Sequence, residues 1–172
     1  MKSLVIDSSS AILLFKSGLF DIIIKNYHVF MTDAVYSELI VSGHSGWDKF
    51  ISINRRKLIR VINDDMHNGI LGDDELLKMG IGERSTISLY FVVRADFILI
   101  DDGRGTKYCK KNEIPFLNAL LMVKILYFLN YINEIKYRAA FQLLKKIGRY
   151  SVSVINYAET CSEEDASFFL IK

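Results

Sequence analysis

Acidic side chains recur in this sequence at places where a chain could gather them. Asp7 closes the apolar run Leu4-Val5-Ile6, and Glu38 stands within Val35-Tyr36-Ser37-Glu38-Leu39. Glu83 follows Gly80-Ile81-Gly82, and Asp101-Asp102 ends the run Phe97-Ile98-Leu99-Ile100. Each acid has an ordinary use. Asp7, or one of the pair, can cap a following helix. Glu83 can complement the dipole of a first helical turn, and Glu38 can be a solvated helix residue. Adjacent carboxylates repel, however, so two at one strand end call for a cation or a strong donor nearby. Gathered at one place, the set would select a hard divalent cation such as Mg²⁺ or Mn²⁺.

The elements that must position them alternate. Short β-branched runs at residues 4–6, 28–31, 58–62, 97–100 and 114–117 read as strands. Helical patterns separate them: one from Ser8 to Gly18, one over 19–25, one from Thr32 or Asp33, one over 47–53, a short one over 73–79, one from Glu83 to about Arg94, and one over 104–111. Residues 64–72 are polar and loop-like. From Asn118 to about Ile147 the chain looks mostly helical, and a tail with its own short helix follows from Ser151. The fold class is therefore α/β: a three-layer α/β/α arrangement with a central parallel sheet of four to five strands and C-terminal helices. A single domain spans 1–172, with an α/β core over 1–117 and a helical C-terminal extension over 118–172. In such sheets the ligand site lies beyond the carboxyl ends of the strands, which is where Asp7 and Asp101-Asp102 fall.

Composition narrows the class. The chain has 172 residues, is 51% hydrophobic and carries a formal charge of +2, so it is not disordered, and only a local patch could serve a polyanion. Cys109 and Cys161 lie far apart in no metal-ligand spacing and read as idle thiols in a reducing compartment. The longest apolar stretch, residues 117–132, is interrupted by Asn118, Lys124 and Asn130 and is too short and polar to span a bilayer. A cytoplasmic protein with no membrane partner is expected.

Four segments carry a resemblance. Leu4-Val5-Ile6-Asp7-Ser8-Ser9 resembles the opening strand of PIN domains, a hydrophobic strand followed by Asp, a small residue and Ser or Thr. Thr32-Asp33-Ala34-Val35-Tyr36-Ser37-Glu38-Leu39 resembles their second acidic segment, Gly80-Ile81-Gly82-Glu83 the third, and Phe97-Ile98-Leu99-Ile100-Asp101-Asp102 the fourth. Order and spacing agree over nearly the whole chain, and the match is nearest the subgroup of VapC-like toxin ribonucleases with a helical tail. The resemblance implies metal-dependent hydrolysis of RNA phosphodiester bonds, with one or two Mg²⁺ or Mn²⁺ ions. It makes Asp7 a metal ligand, Ser9 the hydroxyl that orients it, Glu38 an acid joined to the metal through water, Glu83 the third acid, and Asp102 or Asp101 the fourth, with Asp102 the better alignment. The catalytic acids would be Asp7, Glu38, Glu83 and Asp102. The subgroup carries a further acid where this chain has Ser85, so the site would hold less negative charge for a second ion. The resemblance also implies a small antitoxin partner and a homodimer.

Cations that would hold the RNA are sought beside the fourth segment. Arg104, Lys107 and Lys111 share a helix face at i, i+3, i+7, and Arg84 adjoins Glu83. Arg55-Arg56-Lys57 reads as surface. The helix carrying Leu120, Leu121, Val123, Ile125, Leu126, Phe128 and Leu129 is apolar almost all round, as a buried helix or a dimer interface would be. A non-catalytic PIN-like module that binds RNA or protein is the alternative. A phosphatase would want Asp-x-Asp after the first strand, where this chain has Asp7-Ser8-Ser9. A receiver domain would want its acidic pair there and an acceptor Asp after the third strand, where Asn63 stands.

Overall fold

A computed structural model describes residues 1–63 and 74–170. The polar segment over 64–72 and the first residue of the short helix expected over 73–79 lie outside the described residues. In chain order the elements are β1 (Ser3–Ile6), α1 (Ser8–Lys16), α2 (Phe20–Asn26), β2 (His28–Thr32), α3 (Asp33–Leu39), α4 (Trp47–Arg55), β3 (Arg60–Ile62), α5 (Asp74–Leu77), α6 (Ile81–Val93), β4 (Phe97–Leu99), α7 (Gly103–Lys111), β5 (Phe116–Leu117), α8 (Ala119–Phe128), α9 (Glu134–Ile147), α10 (Val152–Thr160) and α11 (Ser167–Leu170).

The five strands form one parallel sheet in the order β3-β2-β1-β4-β5. β1 pairs with β2 on one side (Leu4 opposite Val29) and with β4 on the other (Val5 opposite Ile98). The chain thus grows outward from β1 in one direction and then, from β4, in the other. The seam between β1 and β4 is the switch point at which open α/β sheets leave a crevice. The strands are continuous apolar runs because both faces are covered. Leu4 and Ile6 belong to the main core with α1, α2 and α8, whereas Val5 packs with Leu89 of α6 on the opposite face. The three-layer α/β/α arrangement expected from the alternation is what the chain adopts.

Helix starts follow local chemistry. Asp7, Thr32, Asp102, Asn118, Asn133 and Ser151 each accept a backbone N–H of the helix they open. Several boundaries differ from the sequence reading; β5, for one, begins at Phe116 rather than residue 114. The third strand begins at Arg60 rather than residue 58, α6 begins at Ile81 rather than Glu83, and the long C-terminal helix is two helices. They are separated by a turn in which Asn130 takes φ 57°, a left-handed value that Asn tolerates. α8 is buried on nearly all sides, as its composition requires. Its one charge, Lys124, is buried too, donating from Nζ to the carbonyls of Ala158 (2.9 Å) and Glu159 (2.7 Å) at the end of α10. Among the described residues no helix is long and apolar enough to cross a membrane.

Candidate active site

Where β1 ends, Asp7 is turned into the β1/β4 seam by the hydrogen bond from its own N–H to the Leu99 carbonyl, 3.0 Å. Its carboxylate is 4% exposed. Oδ1 accepts the Ser10 N–H at 2.8 Å and Oδ2 the Ser9 hydroxyl at 2.5 Å. Burial opposes ionisation more than these donors favour it, and the nearby Asp101 charge adds to the effect; together they push the Asp7 carboxyl up to about 7.

Asp101, just past the end of β4, is half-buried alongside. Its Oδ1 accepts the Tyr150 hydroxyl at 2.5 Å, and its Oδ2 accepts the Ser10 hydroxyl at 2.7 Å and the Ala119 N–H at 2.9 Å. Burial raises its pKa while these three donors lower it, with a net rise. Both oxygens are therefore committed within the protein, which makes Asp101 a tether between β4, α1, α8 and the tail. Asp102 caps α7 through Oδ1, accepting the N–H groups of Arg104 (2.7 Å) and Gly105 (3.3 Å).

Glu38 and Glu83 come from facing helices. The Ser8 hydroxyl donates to Glu38 Oε2 at 2.5 Å. Gly82 is a glycine for this carboxylate: a Cβ there would stand 3.0 Å from Glu38 Oε1. Glu83, in the first turn of α6, accepts the Gly80 N–H, yet its Oε2 is buried without a partner. Burial foremost, and then the charge of Asp102, raise its pKa. Ser85 does not reach the site. It is buried against Thr32 Oγ1 at 2.9 Å and donates to the Gly82 carbonyl at 3.1 Å, joining α6 to the start of α3.

Asp7, Glu38, Glu83, Asp101 and Asp102, with Ser8 and Ser9, line one open cleft of about 800 Å³. The hard oxygen donors and the orphaned Glu83 oxygen fit a divalent cation. Among the described residues no three His, Cys, Asp or Glu side chains stand close enough to share one ion. Of the cations expected beside the site, Arg104 stands near enough to Glu83 for its charge to oppose the rise in that carboxyl's pKa. Arg84, Arg104, Lys107 and Lys111 do not line the cleft, and Lys111 pairs with Glu75 at 2.6 Å. The cations that do line it are Lys16 and Arg149. Sequence reasoning missed both, along with Ser8, Ser10 and Tyr150. The serine run was legible only as a helix cap, and nothing in the sequence near Arg149-Tyr150 points to β4.

A parallel sheet with acids at its switch point, facing acids from two neighbouring helices, defines an α/β domain of the nuclease type. A PIN-domain family model matches residues 3–160. The chain belongs to the PIN-domain family, whose members are typically nucleases. No curated protein matches the chain.

Proposed function

We propose that this protein is a metal-dependent ribonuclease that hydrolyses RNA phosphodiester bonds with Mg²⁺ or Mn²⁺, of the VapC-like toxin type. The observation that carries the proposal is Asp7: a buried carboxyl, held by Ser9 and Ser10 at the end of the central strand, opening on a cleft with Glu38, Glu83 and Asp102. Asp7, Glu83 and Asp102 would hold the ion, and Glu38 would reach it through water. The bound ion supplies Lewis acidity and an activated water at neutral pH.

The chain's own groups do the rest. Ser9 and the Ser10 N–H fix the rotamer of Asp7, so its lone pairs are aimed before any ligand arrives. Ser8 fixes Glu38, and Gly82 lets that carboxylate approach the start of α6. The pKa values of Asp7, Asp101 and Glu83 are raised in the protein alone, so neutralisation by a cation relieves burial and mutual repulsion. A small antitoxin that blocks the cleft, and a homodimer, follow from the toxin reading.

The deciding experiment is cleavage of a mixed RNA pool by purified protein with Mg²⁺, Mn²⁺ or EDTA, beside Asp7→Asn. Metal-dependent cutting that disappears in the variant is expected. A folded protein, free of antitoxin, that cuts under neither metal would instead be a non-catalytic RNA- or protein-binding module.

A further inference from the structure

An acidic cleft is a poor receptor for RNA. Its lining carries five carboxylates against the two cations Lys16 and Arg149, so even a divalent ion leaves the cleft net negative when all five are ionised. A phosphodiester chain must be held by something else close by. The residues lining the cleft on α1 are Ser8, Ser9, Ile12, Leu13 and Lys16. From Ser9 to Lys16 their spacing is i, i+3, i+4, i+7, one stripe of the helix. The cleft therefore runs along α1, with the acids at its first turn and Lys16 about 12 Å further along the axis, at 1.5 Å per residue. The cleft is also lined by Ile147, the last residue of α9, and by Gly148 and Arg149 just after it.

We infer that Lys16 and Arg149 are the phosphate-binding residues of this cleft, holding an extended single-stranded RNA along α1 so that one of its phosphates reaches the carboxylates. The inference rests on the nuclease reading and names the residues that position its substrate. The same lining holds Ile12, Leu13 and Ile147, half-buried apolar side chains. They suit contact with the faces of unstacked bases, which only a single strand offers. Neither cation has an ion-pair partner among the described residues. Arg149 adopts φ 48°, a left-handed conformation that glycine takes more readily. Lys57, Glu113 and Asn130 take the same conformation just after their helices, and the next residue, Tyr150, is fixed to half-buried Asp101.

The test is fluorescence anisotropy of a labelled single-stranded RNA oligonucleotide with the full chain in EDTA, titrated with salt. The variants are Lys16→Ala, Arg149→Gly, Arg149→Lys and Lys107→Ala. Thermal melting checks that each is folded, and Arg149→Gly suits the left-handed backbone. Loss of about tenfold in affinity is expected for Lys16→Ala and for Arg149→Gly. Each should also lower the salt slope by about 0.7. Arg149→Lys should recover part of the binding, and Lys107→Ala should match the unsubstituted chain. Unchanged affinity and slope in Lys16→Ala and Arg149→Gly overturn the inference. If such variants still cut RNA with Mg²⁺ or Mn²⁺, the nuclease reading survives without it. If the unsubstituted chain neither binds nor cuts RNA, both fall together.

Discussion

The Tyr150 hydroxyl lies 2.5 Å from Asp101 Oδ1, a hydrogen bond that joins residues 49 apart in sequence. It ties the connection between α9 and α10 to the end of β4, at the floor of the acidic cleft. Because Asp101 is also held by Ser10 and Ala119, one half-buried carboxyl fixes the first turn of α1, the start of α8 and the tail against each other.

Tyr150→Phe should therefore destabilise the protein while leaving every carboxylate of the cleft in place. Hydrogen bonds to charged groups contribute about 1.5–3 kcal/mol, and a loss in that range is expected in urea unfolding. A loss below about 0.5 kcal/mol would mean that Ser10 and Ala119 suffice.

Metal-free protein should lose stability as pH rises from about 4 to about 7. In that window the unfolded chain has already released the Asp7 proton, whereas the folded chain, with its carboxyl raised from 3.8 to about 7, retains it. The difference corresponds to roughly 4 kcal/mol. Asp101 and Glu83, also raised, act in the same direction. Melting curves in EDTA across this range should show the fall. Asp7→Asn should flatten it and melt higher than the unsubstituted protein at pH 7, while abolishing RNA cleavage. A melting temperature that climbs through the window contradicts the raised Asp7.

Gly82→Ala separates activity from stability. A methyl group 3.0 Å from Glu38 Oε1 meets the movable end of a side chain, so the carboxylate shifts and the fold does not. Alanine also favours the first turn of α6 over glycine by about 0.5–1 kcal/mol. Unchanged or higher stability, with RNA cleavage reduced on the order of 10- to 100-fold, is the expected pair of results in melting and cleavage assays.

Lys124→Met keeps the apolar stem and removes the ammonium that satisfies two carbonyls at the end of α10. Orphaning buried acceptors costs about 1–3 kcal/mol. Hydrogen exchange should quicken in α10 and remain slow in β1. Uniform exchange throughout would indicate that α10 is held by its apolar contacts alone.

The sheet was legible because its strands are unbroken apolar runs that end in acids, and a parallel sheet buried on both faces needs that pattern. Asp7, Glu83 and Asp102 stood out for the same reason, each lying beside a strand or helix end that the periodicity marks, whereas Glu38, inside a helix, stood out only through the family resemblance. Asp101 and Asp102, adjacent and chemically identical, could not be separated by sequence. Their roles diverge because the chain turns between them, sending Asp101 into the protein and leaving Asp102 to cap α7. Ser85 showed an acid missing from the subgroup's pattern but not its burial against Thr32. The basic residues were grouped by a shared helix face, which says nothing about what each one looks toward: Arg104 acts on Glu83. Lys111 meets Glu75, whereas Lys16 and Arg149 reach the cleft from elements far apart in sequence.

That distance sets an order of events during synthesis. Translation adds about 5–20 residues per second, so Tyr150 follows Asp101, 49 positions earlier, by roughly 2–10 s. Through that interval a growing chain already contains every acid of the cleft but neither the phenol that tethers its floor nor the guanidinium beside it. On the ribosome, amid the cell's RNA, the acids are made first and their tether and the Arg149 cation arrive last.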